Sequence, residues 1–184
     1  MKSYLITDPK YYSDNITIFE KTLDTILQNS SPDMICFRDK TSKNRDELID
    51  VFVQVCKKHN IQEIYINGII ESAKQYSLTG VHLSSLQFDQ ITMAKSLGLK
   101  VIVSCHTEDE IIIALSKKVD AITYSPIFLT PNKGNPKGVE ELIRVIKKYP
   151  IDIIALGGIT SENHLYEIQN SGAYGFASIR YFIK

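Results

Sequence analysis

The sequence has no tryptophan, and its three cysteines, Cys36, Cys56 and Cys105, are scattered through 184 residues. An odd and widely spaced set fits reduced thiols better than a disulfide framework, and no Cys-x-x-Cys pair offers zinc-site spacing. An excess of charge of one sign is also missing: 21 Lys and Arg balance 21 Asp and Glu, and the pI is about 6.9. That balance argues against broad nucleic-acid binding, which needs a basic face. It also removes one barrier to self-association. No apolar run approaches the ~20 residues of a membrane span. The opening MKSYLITD turns polar too soon for a secretory leader. Low-complexity tracts and composition shifts are absent as well. The expectation is one cytoplasmic globular domain over residues 1–184, binding neither nucleic acid nor membrane and acting on a small molecule.

What the sequence does have is alternation. Eight short runs rich in Val, Ile and aromatics recur: SYLIT (3–7), DMICF (33–37), EIYI (63–66), GVHL (80–83), KVIVS (100–104), DAITY (120–124), DIIAL (152–156) and YGFAS (174–178). Such continuous apolar runs suit strands buried on both faces. Amphipathic segments lie between them. One carries Ile18, Leu23, Ile26 and Leu27 as its apolar stripe, and another Leu48, Val51, Phe52 and Val55. Thr107 followed by Glu110 is a capping-box pattern, and the acids Glu108, Asp109 and Glu110 read as a helix start rather than a paired-carboxylate site.

Eight strands alternating with helices imply an α/β fold, a (β/α)8 TIM barrel, with a doubly wound open sheet as the competing architecture. The chain is short for a barrel, which typically takes ~250 residues. Only IRYFIK follows the eighth run, so the final helix is expected to be truncated to one turn or lost. The surface this leaves calls for cover by a homodimer partner or a rearranged neighbouring helix.

In a barrel, chemistry gathers at the C-terminal ends of the strands. Here those ends read CFRDK, YING, VHLSS, SCHT, YSPIFLTPNKGNPKG, ALGGIT and ASIR. The stretch 125–138 is the longest without strand or helix pattern and carries Lys133 and Lys137; it is either a binding loop or a solvated turn. Gly157 and Gly158 let the backbone turn sharply after the seventh strand and approach a ligand closely. Amides at that turn, with a helix N-terminus beyond, can hold a phosphate. Ile179 and Arg180 follow the eighth strand and complete the candidate phosphate cup, the guanidinium offering a bidentate contact. A tight turn with no ligand is the other reading of the glycine pair.

Seven stretches in order, CFRDK, YING, TGVHLSS, VSCHTEDEIIIAL, YSPIFLTPNKGNPKG, IIALGGITSEN and SGAYGFASI, resemble the thiamine-phosphate synthase / TenI family from Tyr4 to about Phe182. The resemblance implies a (β/α)8 barrel. It also implies a reaction joining an aminomethylpyrimidine diphosphate to a thiazole phosphate, with diphosphate leaving. On the matching positions it puts Arg38 and Lys40 on the diphosphate, Asn67 near it, Ser104 by the pyrimidine, and His82 in the substrate pocket. Thr130 and Lys133 fall on phosphate, and Gly157 and Gly158 on the thiazole phosphate.

The departures from the family pattern are equally specific. The two Mg²⁺-binding aspartates of the synthases correspond to Gly68 and Gln87, with Asp89 two residues late and Asp39 off the metal position. Cys36 replaces a Gln, and Arg180 stands where the synthases have Ser. Mg²⁺ takes oxygen ligands, usually including one or two carboxylates. The losses therefore favour the TenI branch, a thiazole phosphate tautomerase that moves one proton and needs no cofactor. Its acid/base candidate is His106, because the position that carries the TenI histidine is Pro126. A divergent synthase, which would need Mg²⁺, and a non-catalytic phosphate-ligand binder or regulator stand as alternatives.

Overall fold

Each of the eight apolar runs forms a strand in the computed structural model, which describes residues 1–183. The strands are β1 (Lys2–Ile6), β2 (Met34–Phe37), β3 (Glu63–Asn67), β4 (Gly80–Leu83), β5 (Lys100–Cys105), β6 (Ala121–Tyr124), β7 (Ile153–Leu156) and β8 (Gly175–Ser178). All pair in parallel with their sequence neighbours, and β1 pairs with β8 from Lys2↔Gly175 to Leu5↔Ser178. That last pairing closes the barrel and rules out the open sheet.

Alternate residues of every strand face opposite ways, so the strands carry two cores. Inside the barrel lie Tyr4, Ile6, Met34, Cys36, Tyr65, Ile102, Ile154 and Ala177. Outside it, Leu5, Ile35, Phe37, Ile66, Val103 and their neighbours pack under the helices. The helices are α1 (Pro9–Tyr12), α2 (Ile16–Asn29), α3 (Arg45–Lys58), α4 (Ile70–Gln75), α5 (Ile91–Ser96), α6 (Glu108–Ser116), α7 (Gly138–Lys148) and α8 (Glu162–Asn170). α4 and α5 have only six residues each, which is part of how so short a chain closes a barrel.

The apolar stripe of α2 differs from the expected one. Phe19, Leu23, Ile26 and Leu27 are buried, whereas Ile18 is 55% exposed. The spacing i, i+4, i+7, i+8 makes a single helical face, and Ile18 sits one residue, about 100°, off it. On α3, Leu48, Phe52 and Val55 are buried as expected, with Val51 only partly so. The capping box at α6 is present in both directions: Glu110 N–H donates to Thr107 Oγ1 at 3.3 Å, and Thr107 N–H to Glu110 Oε2 at 3.2 Å.

Among the described residues no helix follows β8. The chain itself turns back there. Tyr181 packs edge-on against Phe176 and Phe182 stacks on it, with ring centroids 5.4 and 5.9 Å away, and Phe182 is buried. The apolar patch for which a partner was expected is thus partly covered by the chain's own aromatic residues.

Candidate active site

The strand ends deliver their residues to one rim. At the end of β2, Arg38 is half-buried and donates through Nη1 to Asp8 Oδ2, 2.5 Å away, just beyond β1. Thr7 fastens the same corner, accepting from Arg38 N–H at 2.9 Å. Asp8 was not picked out from sequence; the stretch TDP at the end of the first strand held the signal. Lys40, two residues on, is exposed. Burial, then the charges of Arg38 and Lys133, hold its ammonium below the ordinary lysine range. Lys133 comes from the far side of the mouth, so the fold brings Arg38, Lys40 and Lys133 together. Neither lysine forms an ion pair among the described residues. Two lysines without counter-ions, beside an Arg38 already paired with Asp8, form a place suited to an anion.

The loop between β6 and α7 delivers Lys133, and it is anchored at its base. Ile127 N–H donates to Leu156 O at 2.9 Å and Phe128 N–H to Gly157 O at 3.0 Å, so β6–β7 pairing runs on into the loop. Lys137 N–H and Gly138 N–H return to Pro126 O and Ile127 O. The Lys137 ammonium donates to His106 O at 2.6 Å and lies over the Tyr124 ring. Lys137 is therefore committed to the scaffold, while Lys133 is exposed. Thr130 is half-buried beside the glycine turn, its hydroxyl donating to Phe128 O at 3.0 Å.

The same loop accounts for the two adjacent glycines. Gly157 and Gly158 have φ of +100° and +71°. A Cβ on Gly157 would stand 2.8 Å from Pro126 Cα and 3.2 Å from Thr130 Oγ1. One on Gly158 would stand 2.6 Å from Leu129 O and 2.7 Å from Phe128. Both the left-handed backbone and the contact with the loop require glycine. The Phe128 ring then stacks on His164 in the first turn of α8, with centroids 4.1 Å apart. Ser161 caps that helix, accepting from His164 N–H at 3.3 Å. Across from the turn, Ile179 and Arg180 follow β8, with Arg180 exposed. Ser178 Oγ donates to Ile159 O at 2.8 Å and accepts from Tyr181 N–H at 3.1 Å, which ties the β7 and β8 ends together. The amides of Gly158, Ile179 and Arg180 donate to no protein acceptor among the described residues.

His82 does not line the mouth. It is only 3% exposed and lies in the barrel interior, with Nδ1 3.2 Å from the Tyr4 hydroxyl and Nε2 3.1 Å from Ser104 Oγ. Thr123 Oγ1 lies 3.4 Å from both Nε2 and Ser104 Oγ. Burial, then the Arg38 charge, pushes its pKa down to about 3, so the ring is neutral. Its place is beneath the site rather than in it. Ser104 is half-buried and is the member of this network nearest the surface. Burial pushes the Cys36 and Cys105 thiols up to about 12, which leaves them inert.

His106 is half-buried, and its Nδ1 lies 3.1 Å from Ser125 O. The Ser125 hydroxyl lies 3.2 Å from the same nitrogen, so Ser125 engages Nδ1 through both its carbonyl and its side chain.

At the two positions that carry the metal-binding aspartates in the synthases, the Gln87 side chain meets the Gly68 backbone. Gln87 Nε2 donates to Gly68 O and to Gln90 Oε1, each at 3.1 Å. Gln87 Oε1 accepts from Ser84 N–H at 3.1 Å and Ser84 Oγ at 3.0 Å. Asn67 donates to His82 O at 2.8 Å, beside Gly68. Asp39 is occupied by its own turn, accepting from Thr41 and Ser42 N–H at 2.9 Å each. Burial raises its pKa, but those bonds outweigh burial and hold the carboxyl below the ordinary range. Asp89 sits exposed on the turn Phe88–Gln90. Among the described residues no three His, Cys, Asp or Glu side chains are grouped to hold a metal ion.

A closed (β/α)8 barrel with this rim matches a known family model, thiamine monophosphate synthase, over residues 3–182. The chain belongs to that family. It is 33% identical over 187 residues to an Aquifex aeolicus protein named "Putative thiamine-phosphate synthase 2", covering 98% of this chain and 97% of that one. It is 28% identical to the thiamine-phosphate synthase of Dictyoglomus turgidum, over 96% of this chain and 80% of its relative. Among solved structures it resembles the thiamine phosphate pyrophosphorylase of Pyrococcus furiosus. The TM-score there is 0.79 at 22% identity, covering 97% of this chain and 85% of that one, a likeness that speaks for the fold. The family places the chain among synthase-like enzymes of thiamine biosynthesis and does not single out a tautomerase. None of its described helices is long and apolar enough to cross a membrane.

Proposed function

We propose that the chain is a thiamine-phosphate synthase-type transferase that joins a pyrimidine methyl diphosphate to a thiazole phosphate. The observation that carries this reading is the presence of two separate anion-receptive places on one rim. Gly158, Ile179 and Arg180 offer backbone amides at the β7 and β8 ends. Arg38, Lys40 and Lys133 offer side-chain cations at the β2 end and loop tip. A tautomerase with one monophosphate substrate needs only the first; a synthase needs both.

In the proposed step, the thiazole ring nitrogen gives its electron pair to the pyrimidine methylene carbon. The bond from that carbon to the diphosphate oxygen breaks, and the leaving anion keeps its electrons. The cations stabilise charge as it develops on the leaving group. The phosphate cup holds the nucleophile in line. Asn67 and Ser104, at the ends of β3 and β5, are the polar groups assigned to the pyrimidine side. Incubation of the protein with both substrates, read by mass spectrometry, is expected to give the coupled phosphate and one equivalent of diphosphate. No coupled product from folded protein contradicts the reading.

The tautomerase reading draws on one observation of its own, the place of His106 just beyond β5 with its Nδ1 held by Ser125. It predicts aromatisation of the thiazole tautomer with no pyrimidine present, lost in His106→Asn. Binding of thiazole phosphate without either reaction would leave the non-catalytic binder.

A further inference from the structure

The synthases' divalent-cation positions are held in this chain by a closed amide latch. The Gln87 carboxamide uses its whole capacity, two donated and two accepted hydrogen bonds. Its orientation is fixed by the groups around it: Ser84 N–H can only donate and Gly68 O can only accept. A carboxylate here would face the Gly68 carbonyl with an acceptor of its own. A Cβ on Gly68 would reach to 3.3 Å from Gln87 Oε1, so the latch fills the space a second carboxylate would take. Asp39 is spent on its turn, and Asp89 lies on an exposed one. The residues present do not fit a Mg²⁺ held by two carboxylates.

We propose that Gln87, latched to Gly68, replaces the carboxylate-bound cation in this chain, and that Arg38, Lys40 and Lys133 hold a diphosphate group without metal. This deepens the synthase reading and rests on it for the identity of the substrate. The three cations come from two loops; Arg38 is held in place by Asp8, and the two lysines form no ion pair among the described residues, so they can meet a polyanion directly. The latch ties the loop after β4 to the end of β3 through the bond from Gln87 to Gly68 O.

Calorimetric titration of the full chain with inorganic diphosphate, in buffer containing EDTA, tests this. One equivalent is expected to bind. Lys40→Ala and Lys133→Ala, both at exposed positions, are each expected to weaken that binding by about tenfold. The double variant Gly68→Asp/Gln87→Asp is expected to bind diphosphate poorly in EDTA and to recover when Mg²⁺ is added. Aspartate tolerates the left-handed backbone at position 68 better than most residues, and circular dichroism checks that the variant folds. Diphosphate binding by the native chain only after Mg²⁺ is added overturns the proposal. So does metal-free binding that ignores both lysines. The two readings fail separately. Metal-free diphosphate binding without coupled product would sink the synthase and keep the latch. Coupling abolished by EDTA and restored by Mg²⁺ would do the reverse.

Discussion

The two halves of the rim are built from different materials. The half at β7 and β8 is made of backbone: two left-handed glycines, the amides beyond them and a loop packed where no Cβ fits. The half at β2, β3 and β4 is made of side chains: Arg38, Lys40, Asn67 and the Gln87 latch. A backbone site depends on shape, so it survives as long as the glycines do. A side-chain site can be rebuilt by two substitutions, and Gly68 and Gln87 are the two departures from the family pattern at the positions that would bind metal. The loop 125–138 joins the halves, its base against Gly157 and its Lys133 beside Lys40.

The largest expected effect breaks one half and spares the other. Lys40→Ala combined with Lys133→Ala should lower coupled turnover by about 100-fold, while thiazole phosphate binding, read by calorimetry, stays within about twofold. The reciprocal test is Gly158→Ala. Its methyl group would meet Leu129 O and Phe128, so thermal unfolding should show a loss of about 3 kcal/mol, and thiazole phosphate affinity should fall with it.

The floor beneath both halves gives a third test. His82 has a folded pKa near 3, against about 6.5 for an unfolded histidine. The unfolded chain therefore takes up the proton first. The contribution of the neutral ring is fully present above pH about 6.5 and is lost as pH falls toward 3, at up to about 1.4 kcal/mol per pH unit. Denaturant melts across that window should show the slope, and His82→Gln should flatten it. The smallest effect expected is at His106. Its Nδ1 is engaged by Ser125, a positioning contact, so His106→Asn should change coupling by about threefold or less. A loss of several hundredfold would move the chemistry to His106 and favour the tautomerase.

Much of this comparison can be read in the sequence, and unevenly so. Buried parallel strands are continuous apolar runs, so the eight strands stand out and their count implies a barrel. The glycine pair is equally visible because a left-handed turn has few other solutions. The latch is not visible in this way. Gln87 gains its meaning from Gly68, whose bond to it exists only after β3 and β4 pair; its bonds to Ser84 and Gln90 are local. The Arg38–Asp8 pair likewise spans two strands, and His82 falls inside the barrel because of register, which residue type alone does not announce. Ile18 shows the limit within a single helix: apolarity put it on the stripe, and the period of the helix took it off.

The most direct test of the central claim, two separate anion places on one rim, is a calorimetric titration of inorganic diphosphate into protein already saturated with thiazole phosphate. The account predicts that one equivalent still binds, with an affinity close to that for the free protein. Displacement of the thiazole phosphate, or no binding at all, would mean a single anion place and would contradict the synthase-type reading.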